Sequence, residues 1–181
     1  MKKLFAVALA TLVLAGLAFG QGMPGKGMMS VGVGAELGLP MGDFGDAYKT
    51  GFGGSGRFLY GIENNITIYG DIAYMSWSAD EDVLGADVST STFEFMAGGK
   101  YGFGSGFYGL AELGIHSYSY SYDYVEPFTG QTLKFDGSDS KFMFAPGAGY
   151  AWKAITVEVK YYLLDSDLNQ FRFRVGYDFS L

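Results

Sequence analysis

The chain has 181 residues, with 29 glycines, 14 tyrosines, 16 phenylalanines, four prolines and no cysteine. That suits one domain and excludes collagen, a disordered chain, a disulfide framework, a thiol nucleophile and lipobox acylation. Twelve basic against 19 acidic residues give a net charge of −7, which argues against nucleic acid as a partner, because phosphate binding needs a basic footprint.

The first stretch, Met1 to Gly20, opens on Lys2 and Lys3 and continues with an almost wholly apolar run from Leu4 to Leu17. Small residues Ala18 and Gly20 precede a cleavage site before Gln21. This reads as a bacterial secretory signal peptide. The apolar run is shorter than the ~20 residues that a membrane helix needs. The expected organisation is a signal peptide over 1–20, a flexible segment over 21–28 and a β-barrel over 29–181.

Eight strands are expected in order. The first, about Met29 to Leu39, points Val31, Val33, Ala35, Leu37 and Leu39 one way and Gly32, Gly34, Glu36 and Gly38 the other. After a loop over Pro40 to Thr50, the second runs from Gly51 to Ile62. Its outward residues are Phe52, Phe58, Tyr60 and Ile62, with Arg57 inward. The third, Ile66 to Trp77, sets Ile66, Ile68, Ile72 and Tyr74 against Thr67, Tyr69 and Asp71. An acidic loop follows over Ser78 to Ser89. The fourth, Thr90 to Phe103, turns Glu94, Met96 and Lys100 inward and ends in the turn "GSG". The fifth, Phe107 to Tyr120, turns Glu112 and His116 inward. A long loop is expected over Ser121 to Ser140, although the alternation in "SYSYSYDY" also suits an extension of the sheet. The sixth spans Lys141 to Trp152, with Pro146 as a point of weak pairing. The seventh, Ile155 to Leu164, carries Glu158 and Lys160 inward. The last, Gln170 to Leu181, reads "QFRFRVGYDFSL".

In that last strand Phe171, Phe173, Val175, Tyr177, Phe179 and Leu181 share one face, and Arg172, Arg174, Gly176, Asp178 and Ser180 share the other. The same division recurs along the whole chain, and no helix is left to cover the apolar faces. A closed sheet with lipid outside and polar groups inside satisfies all of them. The expected fold is all-β, an eight-stranded antiparallel up-and-down transmembrane β-barrel preceded by a signal peptide. The short turns all fall at one end, the expected periplasmic side.

With its leader, its eight alternating strands, "LGLPMGDFG" after the first strand and "VGYDFSL" at the end, the chain resembles the small outer-membrane β-barrel family of OmpA-like and OmpX-like proteins. The resemblance covers residues 29 to 181. It implies residence in the bacterial outer membrane among its lipids. It also implies delivery by the barrel-assembly machinery, which reads the last strand. Family members usually end that strand in phenylalanine; here Leu181 stands last, with Phe179 two before it.

An eight-stranded barrel is just wide enough for its interior side chains to fill it. The inward set is Glu36, Arg57, Asp71, Glu94, Lys100, Glu112, Glu158, Lys160, Arg172, Arg174 and Asp178. These are expected to pair as a lumen charge network, because an unpaired charge there costs several kcal/mol. Inward glycines leave gaps that water would occupy, so a narrow ion path is the competing reading. His116 is expected to hydrogen-bond inside the barrel, since Ser117 and Ser119 face the other way and leave it without a nucleophile. "GFGGSG" at Gly51 to Gly56 lacks the helix that a dinucleotide fingerprint requires. Asp80, Glu81, Asp82 and Asp87 lack the spacing of an EF-hand. No enzyme activity, cofactor or metal is expected.

Two functions remain open. One is a structural or surface-interaction barrel acting through its external loops, where Tyr122, Tyr124, Phe128 and Phe135 are the candidate contacts for a surface protein or ligand. The other is a small channel or ligand-binding barrel for solute passage across the membrane.

Overall fold

The computed structural model describes residues 23–78, 88–125, 132–164 and 168–181. Its strands are β1 (Met29–Pro40), β2 (Gly51–Glu63), β3 (Ile66–Ser78), β4 (Val88–Gly104), β5 (Phe107–Val125), β6 (Thr132–Trp152), β7 (Ile155–Tyr162) and β8 (Gln170–Ser180). One short helix, α1 (Asp43–Ala47), lies between β1 and β2. Each strand pairs antiparallel with the next, and β8 returns to β1, so the sheet closes into a barrel. The closing seam holds one register from Ser30 opposite Ser180 to Pro40 opposite Gln170.

Closure follows from the period of two. In β3 the alternation is unbroken: Ile66, Ile68, Ile72 and Tyr74 are exposed, while Thr67, Tyr69, Asp71, Ala73, Met75 and Trp77 are buried. Exposed aromatic and aliphatic side chains continue around the outside, among them Phe58, Phe95, Leu113, Phe142, Val157 and Val175. In water such a belt would oppose folding; in hydrocarbon it is matched to its surroundings, and the closed ladder leaves no backbone edge there. Among the described residues no helix is long and apolar enough to cross a membrane.

The two ends differ. At the turn end, β2–β3, β4–β5 and β6–β7 are joined by very short connections. The β4–β5 turn takes positive φ at Gly104 (94°), Ser105 (53°) and Gly106 (87°), a left-handed path open to glycine at little cost. At the loop end the wall is uneven. The expected long loop over Ser121 to Ser140 is not a loop for most of its length. Pairing between β5 and β6 continues from Ser121 opposite Asp136 to Val125 opposite Thr132. The Ser–Tyr alternation that begins at Ser117 keeps the chain extended past the apolar belt, and only residues 126–131 separate the two strands. The β3–β4 connection is likewise shorter than expected, because β3 runs to Ser78 and β4 starts at Val88.

Pro146 interrupts the ladder without shifting it. Gly147 pairs with Lys160, and Phe144 pairs with Leu163 through two backbone hydrogen bonds of 3.0 and 2.8 Å, in the same register. The bond between them is absent because proline has no N–H to donate.

Residues 23–28 lie across the turn end. The Gly27 N–H donates to the Gly61 carbonyl at 2.7 Å, Gly61 N–H donates to Met28 at 3.0 Å, and Lys26 Nζ sits 2.6 Å from Glu63 Oε1. Met23 packs against the buried cluster of Tyr108, Leu110 and Ala151.

Candidate functional site

The interior of the barrel is its most unusual surface, because it is charged and buried at once. All eleven charged residues of the inward set are buried, none more than 3% exposed. Strand alternation puts them there, and the barrel radius brings residues from opposite walls within hydrogen-bond reach.

Two clusters form. The first centres on Arg57. Its Nε and Nη2 donate to Asp71 Oδ2 at 2.8 and 2.5 Å, Nη1 donates to Glu158 Oε1 at 2.7 Å, and Nη2 also reaches Glu112 Oε1 at 3.2 Å. Lys100 Nζ donates to Glu158 Oε1 at 2.8 Å, and Lys160 Nζ donates to Glu112 Oε2 at 3.1 Å. The Tyr69 hydroxyl donates to Glu112 and the Tyr108 hydroxyl to Glu158, each at 2.8 Å. The cations also stack on these rings: Arg57 lies 4.3 Å from the centre of Tyr69, and Lys100 lies 4.6 Å from that of Tyr108. These contacts offset the desolvation of the buried charges, although Asp71 Oδ1 and Glu158 Oε2 are left without a hydrogen-bond partner.

The second cluster lies nearer the loop end. Arg172 forks onto Glu94, with Nη1 at 2.9 Å from Oε2 and Nη2 on Oε1, and reaches Glu36 Oε2 at 3.3 Å. Its guanidinium stacks on Tyr162 at 4.4 Å. His116 Nδ1 lies 2.8 Å from Glu94 Oε1. Arg174, directly opposite Glu36 across the β1–β8 seam, lies 3.9 Å from its carboxylate and donates to Ser55 Oγ at 2.9 Å and Thr156 Oγ1 at 3.1 Å. Asp178 stands apart: among the described residues it makes no ion pair, and its Oδ1 accepts no hydrogen bond.

The inward glycines are occupied by neighbours rather than open to water. A Cβ on Gly34 would fall 2.5 Å from Arg174 Nε, and Cβ atoms on Gly38 and Gly51 would fall 2.3 and 2.5 Å from the Trp77 ring. Trp77 in turn meets Phe44 of α1, ring centres 5.0 Å apart at 61°. With Met75 they form an apolar layer over the charged interior at the loop end, beside which Tyr48 and Leu168 pack. Tyr108, Tyr162, Trp77, Ser55, Thr156 and Gln170 also line the interior. The sequence reading did not single them out, although the period of two assigns each to the inner face.

Among the described residues no serine hydrogen-bonds His116. Ser117 Oγ lies 2.8 Å from Ser140 Oγ on the outer face. Of the candidate surface contacts, Tyr122 pairs with Phe135 and Tyr124 with Leu133 in the β5–β6 extension, whereas Phe128 lies outside the described residues. So do Asp80, Glu81, Asp82 and Asp87. Among the described residues no three histidine or carboxylate groups converge as metal ligands.

An eight-stranded antiparallel barrel with an apolar outer belt and an ion-paired interior has the fold of the small outer-membrane β-barrels. Solved structures agree on that fold. Ail, the attachment invasion locus protein of Yersinia pestis, matches with a TM-score of 0.63 over 86% of this chain and 99% of its own, at 17% identity. The N-terminal β-barrel domain of Pseudomonas aeruginosa OprF gives 0.53 over 88% and 100%, at 14% identity. Neisserial surface protein A gives 0.52 over 83% and 96%, at 12% identity. No protein-family model and no curated protein sequence matches the chain.

Proposed function

We propose that the protein is exported by its leader, cleaved before Gln21, and resides in a bacterial outer membrane. There it is a non-enzymatic barrel with a structural or surface-interaction role exercised at the loop end. The β5–β6 hairpin carries this reading. Pairing of β5 with β6 extends to Val125 and Thr132, whereas the last pair between β6 and the β7 side is Phe144 with Leu163 among the described residues. The β6 edge beyond Phe144 therefore presents backbone donors and acceptors that a strand of another protein can take up. Tyr122, Tyr124 and Phe135 belong to this hairpin, and Phe128 belongs to the segment joining its strands. The lumen favours this role over solute passage, because large buried side chains and their ion pairs fill it. Lipid would contact the belt, and the barrel-assembly machinery would read β8. Ail has been crystallised with a heparin analogue, sucrose octasulfate. Among the described residues the outer end carries Asp43, Asp46, Asp136 and Asp139 as well as Lys49 and Lys141, and the partner proposed for this chain is a protein strand and not a polyanion.

Deleting Asp123 to Ser138 tests the proposal. The shortened protein should still migrate as a heat-modifiable barrel in the outer-membrane fraction and should lose any cell-surface binding that the parent shows. Binding that survives the deletion, recovery of the parent as a soluble periplasmic protein, or sustained single-channel conductance would each overturn it.

A further inference from the structure

The outer face changes character abruptly at the loop end of β3 to β6. Along each strand the last apolar residue on that face is Tyr74 on β3, Phe93 on β4, Ile115 on β5 and Phe142 on β6, all exposed. The next residue on the same face is a serine every time: Ser76, Ser91, Ser117 and Ser140. Cross-strand pairing extends the pattern. Ser76 stands opposite Ser91, Ser91 opposite Ser119 and Ser119 opposite Ser138, so one unbroken row of serines crosses four strands. At the ~4.8 Å spacing of paired strands the row is about 14 Å long. Ser121 and Asp136 face each other one outer-face rung further out. The row, these two residues and Tyr74 line an open cleft of about 560 Å³, a volume ordinary for a ligand site.

Serine rather than threonine shapes this cleft. Threonine has the higher strand propensity and the same hydroxyl, and β4 uses it on the inner face at Thr90 and Thr92, both buried. On the outer face the missing methyl groups leave a hollow. A serine hydroxyl donates and accepts, so the row suits a ligand that does both along its length. Asp136 is the one charged residue of the lining. Asp139 belongs to the other face of β6, where the Tyr118 hydroxyl donates to its Oδ2 at 3.0 Å. A carboxylate in a lining without lysine or arginine disfavours phosphate and accepts from neutral hydroxyls. Sugar hydroxyls meet these requirements, and the Tyr74 ring, 52% exposed, offers an apolar surface to the C–H face of a pyranose. The source follows from position. The serines start one residue past the apolar belt, at the level of a lipid head group whose acyl chains run beside Phe95 and Ile115.

We propose that this cleft binds the neutral sugar head of a membrane glycolipid. Ser91, Ser119 and Ser138 exchange hydrogen bonds with its hydroxyls, Asp136 accepts from them, and Tyr74 packs on the ring. The site rests on the membrane placement proposed above and is separate from strand pairing at the β6 edge.

The test uses the full mature barrel in phosphatidylcholine nanodiscs, with the amide NMR shifts of Ser76, Ser91, Ser119 and Ser138 as the readout. Digalactosyl diacylglycerol is the probe, and phosphatidylglycerol with the same acyl chains is the anionic control. The glycolipid should saturate these shifts at a mole fraction about tenfold lower than the control needs. Free digalactose at the same total concentration should leave them unmoved. Ser91→Ala and Ser119→Ala should each weaken the glycolipid about fivefold. Heat-modifiable migration and nanodisc incorporation report the membrane placement separately: a barrel that does not incorporate overturns that placement and the site with it. In an incorporated barrel, no saturation, an equal response to phosphatidylglycerol or to free digalactose, or unchanged affinity in both folded variants would overturn the site alone.

Discussion

Arg57 and Asp71 stand directly opposite one another on β2 and β3, and the guanidinium directs two donors at a single carboxylate oxygen. The other side of the same guanidinium reaches across the lumen to Glu158 on β7. One residue thus ties a neighbouring strand to the far wall.

Arg57→Leu should therefore be costly. It leaves Asp71, Glu112 and Glu158 buried with only Lys100 and Lys160 among them, and loss of one partner from such a pair costs about 3–5 kcal/mol. Arg57→Leu combined with Asp71→Leu should be less destabilised than the sum of the two single variants. Equilibrium urea unfolding in micelles measures both. Additive losses would show that the pair is not coupled.

Pro146→Ala should restore the missing rung between β6 and β7. The register places residue 146 opposite Tyr161, midway between pairs that are already bonded. The expected gain is about 0.5–1.5 kcal/mol, with slower amide hydrogen exchange in Lys160 to Tyr162. Unchanged exchange there would mean that the new donor finds no acceptor.

Gly61 is the point at which the N-terminal segment rests on the barrel. A Cβ there would fall 2.1 Å from the Gly25 carbonyl oxygen, a backbone atom that has to move. Gly61→Ala should release residues 23–28 from the turn end while the barrel stays closed. Faster proteolysis between Met23 and Met28, with unaltered heat-modifiable migration, is the expected pattern. Equal cleavage in parent and variant would show that the contact does not hold the segment.

The Tyr118–Asp139 bond should be visible in titration. The Ser140 N–H and the Tyr118 hydroxyl lower the Asp139 pKa from its ordinary value. Partial burial and the bond to Asp139 raise that of Tyr118. Asp139 thus supports hairpin order above its unfolded pKa, and that support is lost as pH falls through the lower folded value. Tyr118 supports it below its unfolded pKa, and that support is lost as pH rises through the higher folded value. The bond should hold from mildly acidic to mildly alkaline pH. Tyr118→Phe should move the Asp139 midpoint upward in an NMR titration; an unmoved midpoint would assign the shift to Ser140 alone.

Much of this barrel was legible because strand alternation is a local property. In "QFRFRVGYDFSL" and "ITIYGDIAYMSW" the next residue but one already tells which face is which, so the inward charges, the outer belt and the closing of β8 onto β1 follow from the chain itself. The end of β5 was less legible. Serine and tyrosine in alternation suit both a loop rich in hydroxyls and an extended hairpin, and only cross-strand pairing with residues 132–140 separates the two. The five residues of α1 gave no periodic signal, and Phe44 is held by Trp77, a contact between two separate parts of the chain.

The partners inside the lumen were decided by tertiary structure alone. Glu36 and Arg174 share a rung, yet Arg174 stays 3.9 Å from that carboxylate and hydrogen-bonds Ser55 and Thr156, while Arg172, two residues away, hydrogen-bonds Glu36 and Glu94. Asp178 alternates into the same interior and, among the described residues, makes no ion pair. Alternation assigns a side chain to a face, but its height against the opposite wall depends on the stagger of all eight strands around the closed sheet. That stagger belongs to the whole ring and is written in no single strand.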